Sequence, residues 1–182
     1  MKYSISLLAV LALILCAAAA FATEIPSPPP GVVKWLPASD EVPGWAIQSG
    51  TLVYAVGKDL TEIYDGDYET YTKAGVLEAA QQSYKHNGQI VTVTINQLDS
   101  FVHARNIYKK FEAEDKKLPT YKKLTLLSET YVYSTDDAAN GYLFRGKYFA
   151  TVTVNVGGQP GRAIVFDFLK NVSKGYWKLA GK

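Results

Sequence analysis

Val76 to Leu98 reads VLEAAQQSYKHNGQIVTVTINQL, two runs of β-compatible residues joined across His86-Asn87-Gly88. Asn-Gly tolerates the positive φ of a type I′ turn, so the stretch predicts a β-hairpin, Val76–Lys85 against Gln89–Leu98. Because side chains alternate along a strand, Val91, Val93 and Ile95 share one face of the second arm while Thr92, Thr94 and Asn96 share the other. A strand over Lys147–Val156, entered through a turn at Arg145-Gly146, repeats this division. There Tyr148, Ala150, Val152, Val154 and Val156 oppose Phe149, Thr151, Thr153 and Asn155. Shorter strands are expected at Thr51–Val56, Leu124–Leu127 and Thr130–Tyr133, with a loop over Asp136–Gly141.

Around these strands the spacing predicts three helices. Leu60, Ile63, Tyr64, Tyr68 and Tyr71 recur with helical period behind an Asp59/Glu62 capping pair, and Gly75 offers a left-handed cap, giving a helix over 60–74. Asp99 or Ser100 caps a second helix over 101–114, whose apolar stripe is Phe101, Ala104, Ile107, Tyr108 and Phe111. Past a Gly157–Gly161 loop, Ile164, Val165, Phe168, Leu169 and Val172 favour a third helix over 162–174, with Gly175 as its stop. Helices interspersed with hairpins, rather than strand–helix–strand crossovers, argue an α+β domain. Its antiparallel sheet is expected to carry about three helices packed mainly on one face, the Thr/Asn faces pointing away from them.

The N-terminal residues are of another kind. Lys2, the apolar run Leu7–Ala20 and Ala20-Phe21-Ala22 make a secretory leader over residues 1–22, cleaved before Thr23. Residues 23–41, holding Pro26, Pro28, Pro29, Pro30 and Pro37, read as an extended tether docked by Trp35, and 42–182 as a single domain. Export through that leader places the mature chain, 23–182, in the periplasm or outside the cell; it has no cysteine and no segment able to span a membrane. Of the 182 residues 48% are hydrophobic and 13% aromatic, a globular composition. Nineteen basic against seventeen acidic residues are too even for a nucleic-acid binder. One Cys and two His leave no basis for a metal centre or disulfide framework, and no cofactor motif is present.

Three stretches together resemble a family of secreted bacterial proteins, the domain of unknown function 6599. They are Asp65-Gly66-x-x-Glu69-x-Tyr71-x-x-x-Gly75, Asp99-Ser100 through Ala104 to Ile107-Tyr108, and Phe144-Arg145-Gly146-Lys147-Tyr148-Phe149. The resemblance covers roughly residues 36–174 and implies a secreted or periplasmic α+β domain without an established activity. Asp67 and Arg145 depart from that family's pattern.

Candidate chemistry gathers on the first helix. Glu62, Asp65 and Glu69 fall on one helical face, but a regular helix does not fold several oxygens around a cation, and a solvated stripe is the simpler reading. Asp67 falls by period among Leu60, Ile63, Tyr64 and Tyr71, on the core face, where a carboxylate must be hydrogen-bonded, paired or at a cleft. Its expected partners are a tyrosine hydroxyl or Arg145. Tyr64, Asp65, Asp67, Glu69, Tyr71 and Arg145 are therefore the candidate binding residues. His103, one turn after Asp99, lacks a nucleophile motif beside it, and Ser100 is better explained as a cap. His86 sits at a hairpin tip, and Gly157–Arg162 lacks the ending of a phosphate loop.

These observations imply an exported binding or accessory module without enzymatic activity, meeting a protein or carbohydrate of the cell envelope. Its contact surface would be the Thr/Asn sheet face or the tyrosine-rich edge near Tyr64, Asp67 and Arg145. The enzymatic alternative is a small hydrolase with Asp67 or Glu69 as general base in a Tyr-lined pocket. A purely structural envelope component is a third reading.

Overall fold

The computed structural model describes residues 31–126 and 129–180, the side chains of 176–180 excepted. The leader expected over residues 1–22 and most of the proline segment lie outside the described residues. Asn87 and Gly88 both take positive φ, 47° and 79°, and close the hairpin that the sequence predicts.

In chain order the strands are β1 (Ala46–Ile47), β2 (Val53–Val56), β3 (Val76–His86), β4 (Gln89–Leu98), β5 (Lys122–Thr125), β6 (Glu129–Ser134), β7 (Ala139–Arg145) and β8 (Tyr148–Val154). The α-helices are α1 (Tyr68–Lys73), α2 (Phe101–Asp115) and α3 (Gly158–Ala180), with short 3₁₀ segments at Val33–Trp35 and Gly57–Glu62. All strands join one antiparallel sheet in the order β1/β2, β3, β4, β8, β7, β6, β5, so the α+β class holds. β1 and β2 pair with the same side of β3 and act as one interrupted edge strand. Gln82 pins the loop between them, donating to Gln48 O at 3.2 Å and Thr51 Oγ1 at 2.6 Å.

After β4 the chain crosses the sheet as α2, reaches the far edge as β5, and returns by hairpins until β8 pairs with β4. Ser100 caps α2 as expected, its Oγ accepting from His103 N at 3.1 Å. α1 and α2 pack on one face over Ala79, Leu98, Phe144 and Phe149. The longest helix, α3, takes the opposite face. There Val165, Phe168, Leu169 and Val172, each at most 3% exposed, meet Val93, Ile95, Ala150 and Val152. Each such side chain contributes about 2 kcal/mol of burial. Gly141 makes this contact close, since a Cβ there would stand 2.4 Å from Val165 Cγ1. Val32, Trp35 and Pro37 are buried on the same side, so the chain is already packed where the sequence suggests tether.

Several elements differ from expectation. The continuous helix over 60–74 does not form: Gly66, at φ 74°, breaks it into the 3₁₀ segment and α1. No side chain caps the 3₁₀ segment, so the Asp59/Glu62 pair has no capping role. β7 begins inside the expected Asp136–Gly141 loop, and β5 starts at Lys122. α3 starts at Gly158 within the expected glycine loop and runs through Gly175. Interior glycine costs a helix only about 1 kcal/mol, less than the packed face of α3 returns.

Candidate functional site: a two-row polar platform

The strand register aligns side chains of the α2 face in rows across the sheet. The inner row, Ala79, Asn96, Phe149 and Phe144, lies under α1 and α2. The middle row is Gln81, Thr94, Thr151, Tyr142 and Tyr131. The outer row is Ser83, Thr92, Thr153, Asn140 and Tyr133. Neighbours within a row stand about 4.8 Å apart and successive rows about 7 Å apart. Thr94 and Tyr131 are buried and Thr153 is exposed; the other members of the two outer rows are partly exposed.

Short polar side chains bond across the strands. Gln81 Nε2 donates to Thr94 Oγ1 at 2.9 Å, the Ser83 and Thr92 hydroxyls meet at 3.2 Å, and Thr153 Oγ1 donates to Asn140 Oδ1 at 2.9 Å. Such ladders hold each rotamer while consuming only part of its capacity, since a hydroxyl has one donor and two lone pairs and an amide four sites. The rows end on aromatics. Tyr142 stacks on Tyr131 at 4.9 Å and on Tyr133 at 6.3 Å between centroids. Behind them Tyr71 and Phe111 form a wall, Phe111 lying parallel to Phe149 at 5.8 Å. Burial, with Asp67 adding its charge, pushes the Tyr71 phenol up to about 12, and burial raises Tyr133 and Tyr142 as well. All three therefore stay neutral at physiological pH.

At the β5 end of the middle row sits a ring of four charges. Glu112 binds Lys109 at 2.7 Å and also Lys123; Glu129 faces the same lysines at 3.0 and 3.6 Å. Two acids and two bases cancel, so the ring ties α2 to β5 and β6 without giving the platform a net charge. Burial works against ionised Glu112, but hydrogen bonds from Lys109, Lys123 and Tyr121 together hold its carboxyl down to about 2.

Of the residues singled out by sequence, Tyr64, Asp67 and Tyr71 lie together and Arg145 lies apart. Tyr64 and Tyr71 do come together, their rings stacked 3.7 Å apart at 11°. Tyr64 is buried and donates its hydroxyl to Asn96 Oδ1, while Asn96 Nδ2 donates to Phe149 O at 3.1 Å. Asp67 is exposed rather than on the core face, because the break at Gly66 resets the helical phase that placed it there. Asp65 is exposed in the same turn, and Glu69 is exposed and paired with Lys73 at 2.5 Å. Arg145 lies on the opposite face of the sheet with Trp35 and Tyr148, in the register of Leu143. Arg145 is therefore separated by the sheet from Tyr64 and Asp67. The Glu62, Asp65 and Glu69 stripe is split across three elements, and among the described residues no group of three potential ligands is gathered.

His103 Nδ1 meets Asp99 Oδ1 at 2.6 Å, an exposed pair whose hydrogen bond holds Asp99 below the usual carboxylate range. The neighbouring Ser100 hydroxyl is used as the α2 cap. The Gly157–Gly161 turn packs backbone on backbone: a Cβ on Gly161 would stand 1.8 Å from Val156 O. Gly157 and Gly161 are thus required for close approach, and Gly158 for its positive φ of 65°. The Thr/Asn face does not point away from all helices either, for Asn96 and Thr94 are covered on the α2 side. Sequence reasoning missed Ser83, Gln81, Asn140, Tyr133 and Tyr142 as site residues. The hairpin register reveals the first two; the rest depend on β8 returning to β4.

Among the described residues no helix is long and apolar enough to cross a membrane. No protein-family model matches the chain, so its resemblance to the domain of unknown function 6599 gains no support there, and no curated protein matches it. Among solved structures it is similar to the extracellular domain of PknH from Mycobacterium tuberculosis, with a TM-score of 0.47 and 10% identity over 79% of this chain and 95% of that one. It is also similar to an uncharacterised protein from Mycobacterium smegmatis, with a TM-score of 0.34 and 10% identity over 73% and 89% of the two chains. Both scores fall below those of chains that share a fold in detail.

Proposed function

We propose that the protein is an exported, non-enzymatic binding module of the cell envelope whose contact surface is the two-row platform. The observation that carries this reading is the platform itself: a rigid polar sheet surface left open beside α2, its side chains held by cross-strand bonds with capacity to spare. Export rests on the leader read in residues 1–22. The hydrolase alternative has less to support it, because Asp67 and Glu69 are exposed, Glu69 is paired with Lys73, and Arg145 lies on the opposite face of the sheet.

NMR spectra of the 15N-labelled protein titrated with cell-envelope extract of the source organism test this. Shifts concentrated on the amides of Ser83, Thr92, Thr153 and Asn140 are expected. Shifts that map instead to α3 on the opposite face, or no shifts at all, overturn the platform as contact surface.

A further inference from the structure

Resting on that reading, we infer that the platform's ligand is a neutral carbohydrate chain. Charge is the first discriminator. None of the side chains from Gln81 to Tyr142 in the middle row, or from Ser83 to Tyr133 in the outer row, is acidic or basic. At the β5 end Lys109 and Lys123 are paired with Glu112 and Glu129, and Asp115, which accepts from Tyr131 at 2.8 Å, adds an acid and no cation. A nucleic acid or an acidic glycan needs cations to replace its counterions, and the cation aligned with the middle row, Lys123 beyond Tyr131, is engaged by Glu112 and Glu129.

Shape and composition make the second discriminator. A protein partner gains most of its affinity from a few large side chains seated in desolvated pockets. Here the open centre of the surface is Thr92, Thr151 and Thr153, short hydroxyls on a sheet face, with Thr94 buried beneath them. A sugar presents the complement: hydroxyls in a plane, each donor and acceptor, and C–H faces that settle on aromatic rings. Asn140 Oδ1 accepts from Thr153, and its amide nitrogen takes no partner among the described residues. Gln81 donates to Thr94 and keeps its carbonyl oxygen. The partly exposed Tyr133, stacked on Tyr142, supplies the aromatic surface at the row ends. Across five strands the outer row extends about 19 Å, enough for a short run of sugar rings laid over β3, β4, β8, β7 and β6.

The same NMR titration is repeated with the envelope extract in three portions: untreated, digested with proteinase, and oxidised with periodate, which cleaves the vicinal diols of sugars. The platform shifts should survive proteinase and vanish after periodate. Isotherms for the Thr92→Val/Thr153→Val double variant, which keeps side-chain shape and removes two hydroxyls, should show at least tenfold weaker binding of the proteinase-digested extract, with native spectral dispersion elsewhere. Platform shifts abolished by proteinase but not by periodate overturn the carbohydrate inference and leave the platform as a protein-binding surface. Unchanged affinity of the double variant also overturns it. An absence of platform shifts with the untreated extract defeats both readings.

Discussion

Replacing Glu112 by Gln tests the electrostatic tie that fixes α2 over the sheet. The carboxylate is only 12% exposed, bonded by Lys109 at 2.7 Å, by Tyr121 at 3.0 Å and by Lys123. Burial alone would raise its pKa, yet these partners take it from 4.5 to about 2. If the whole shift counted, the ionised form would add about 3 kcal/mol to folding. The lysines are 42% and 43% exposed, so solvent screens part of this and about 2 kcal/mol is the expected loss for Glu112→Gln at pH 7. With a urea m-value of about 2 kcal/mol/M, the unfolding midpoint should fall by about 1 M. A depressed folded pKa gives stability that is complete above the unfolded value of 4.5 and is lost as pH falls towards 2. The gap between wild type and variant should therefore shrink to less than half by pH 3. Asp115, raised by burial, titrates in both proteins and largely cancels in the difference. A gap absent at pH 7, or equally large at pH 3, refutes the argument.

Tyr64→Phe removes the donor to Asn96 Oδ1 at a site where Asn96 is fully buried, so thermal unfolding should register a loss of about 1–2 kcal/mol; an unchanged melting temperature would contradict that bond. In alkaline solution, Tyr71 ionises near 12 and Tyr64, Tyr131 and Tyr142 are held well above the ordinary phenol value, while unfolded phenols ionise near 10. Stability should accordingly decline as pH rises past about 10, and phenolate absorbance should appear together with loss of the native circular dichroism; complete titration near pH 10 of a protein still folded would show these rings to be exposed.

The parts of the fold legible in sequence are those specified by neighbours. Asn87-Gly88 closes its hairpin because only the two-residue turn geometry is at stake, and Ser100 caps α2 because the first free amides lie within its reach. The apolar period over Leu60–Tyr71 misled, since a three-residue turn at Asp65-Gly66-Asp67 interrupts it without disturbing the pattern on either side. Asp67 accordingly reads as a core carboxylate and stands in solvent. The site suffered more. Thr92 and Thr94 announce a polar face, but their alignment with Thr153 and Asn140 depends on β8 inserting between β4 and β7, a long-range pairing that no local pattern encodes. For the same reason Arg145, close in the expected plan to Tyr64, lies behind the sheet: its face follows from the register of β7.

Why the platform is open follows from the helices. α2 has 15 residues, about 22 Å at 1.5 Å per residue, close to the span of the five strands from β4 to β5 at about 4.8 Å each. A helix used as that crossover lies across the strands and, being about 10 Å wide, covers little more than one row of the sheet. The 11-residue β3 and its partners project past it and leave the outer row and part of the middle row open on that face, while α3, with 23 residues, serves the other. Bare rows must be polar, so their hydroxyls alone have an ordinary explanation in solvation. Solvation, however, is served as well or better by lysine and glutamate, which also discourage sheet-to-sheet association. The chain carries 36 charged residues, yet the stretches from Gln81 to Tyr142 and from Ser83 to Tyr133 hold none. Exposure explains polarity here; the absence of charge is what the proposed uncharged ligand would account for.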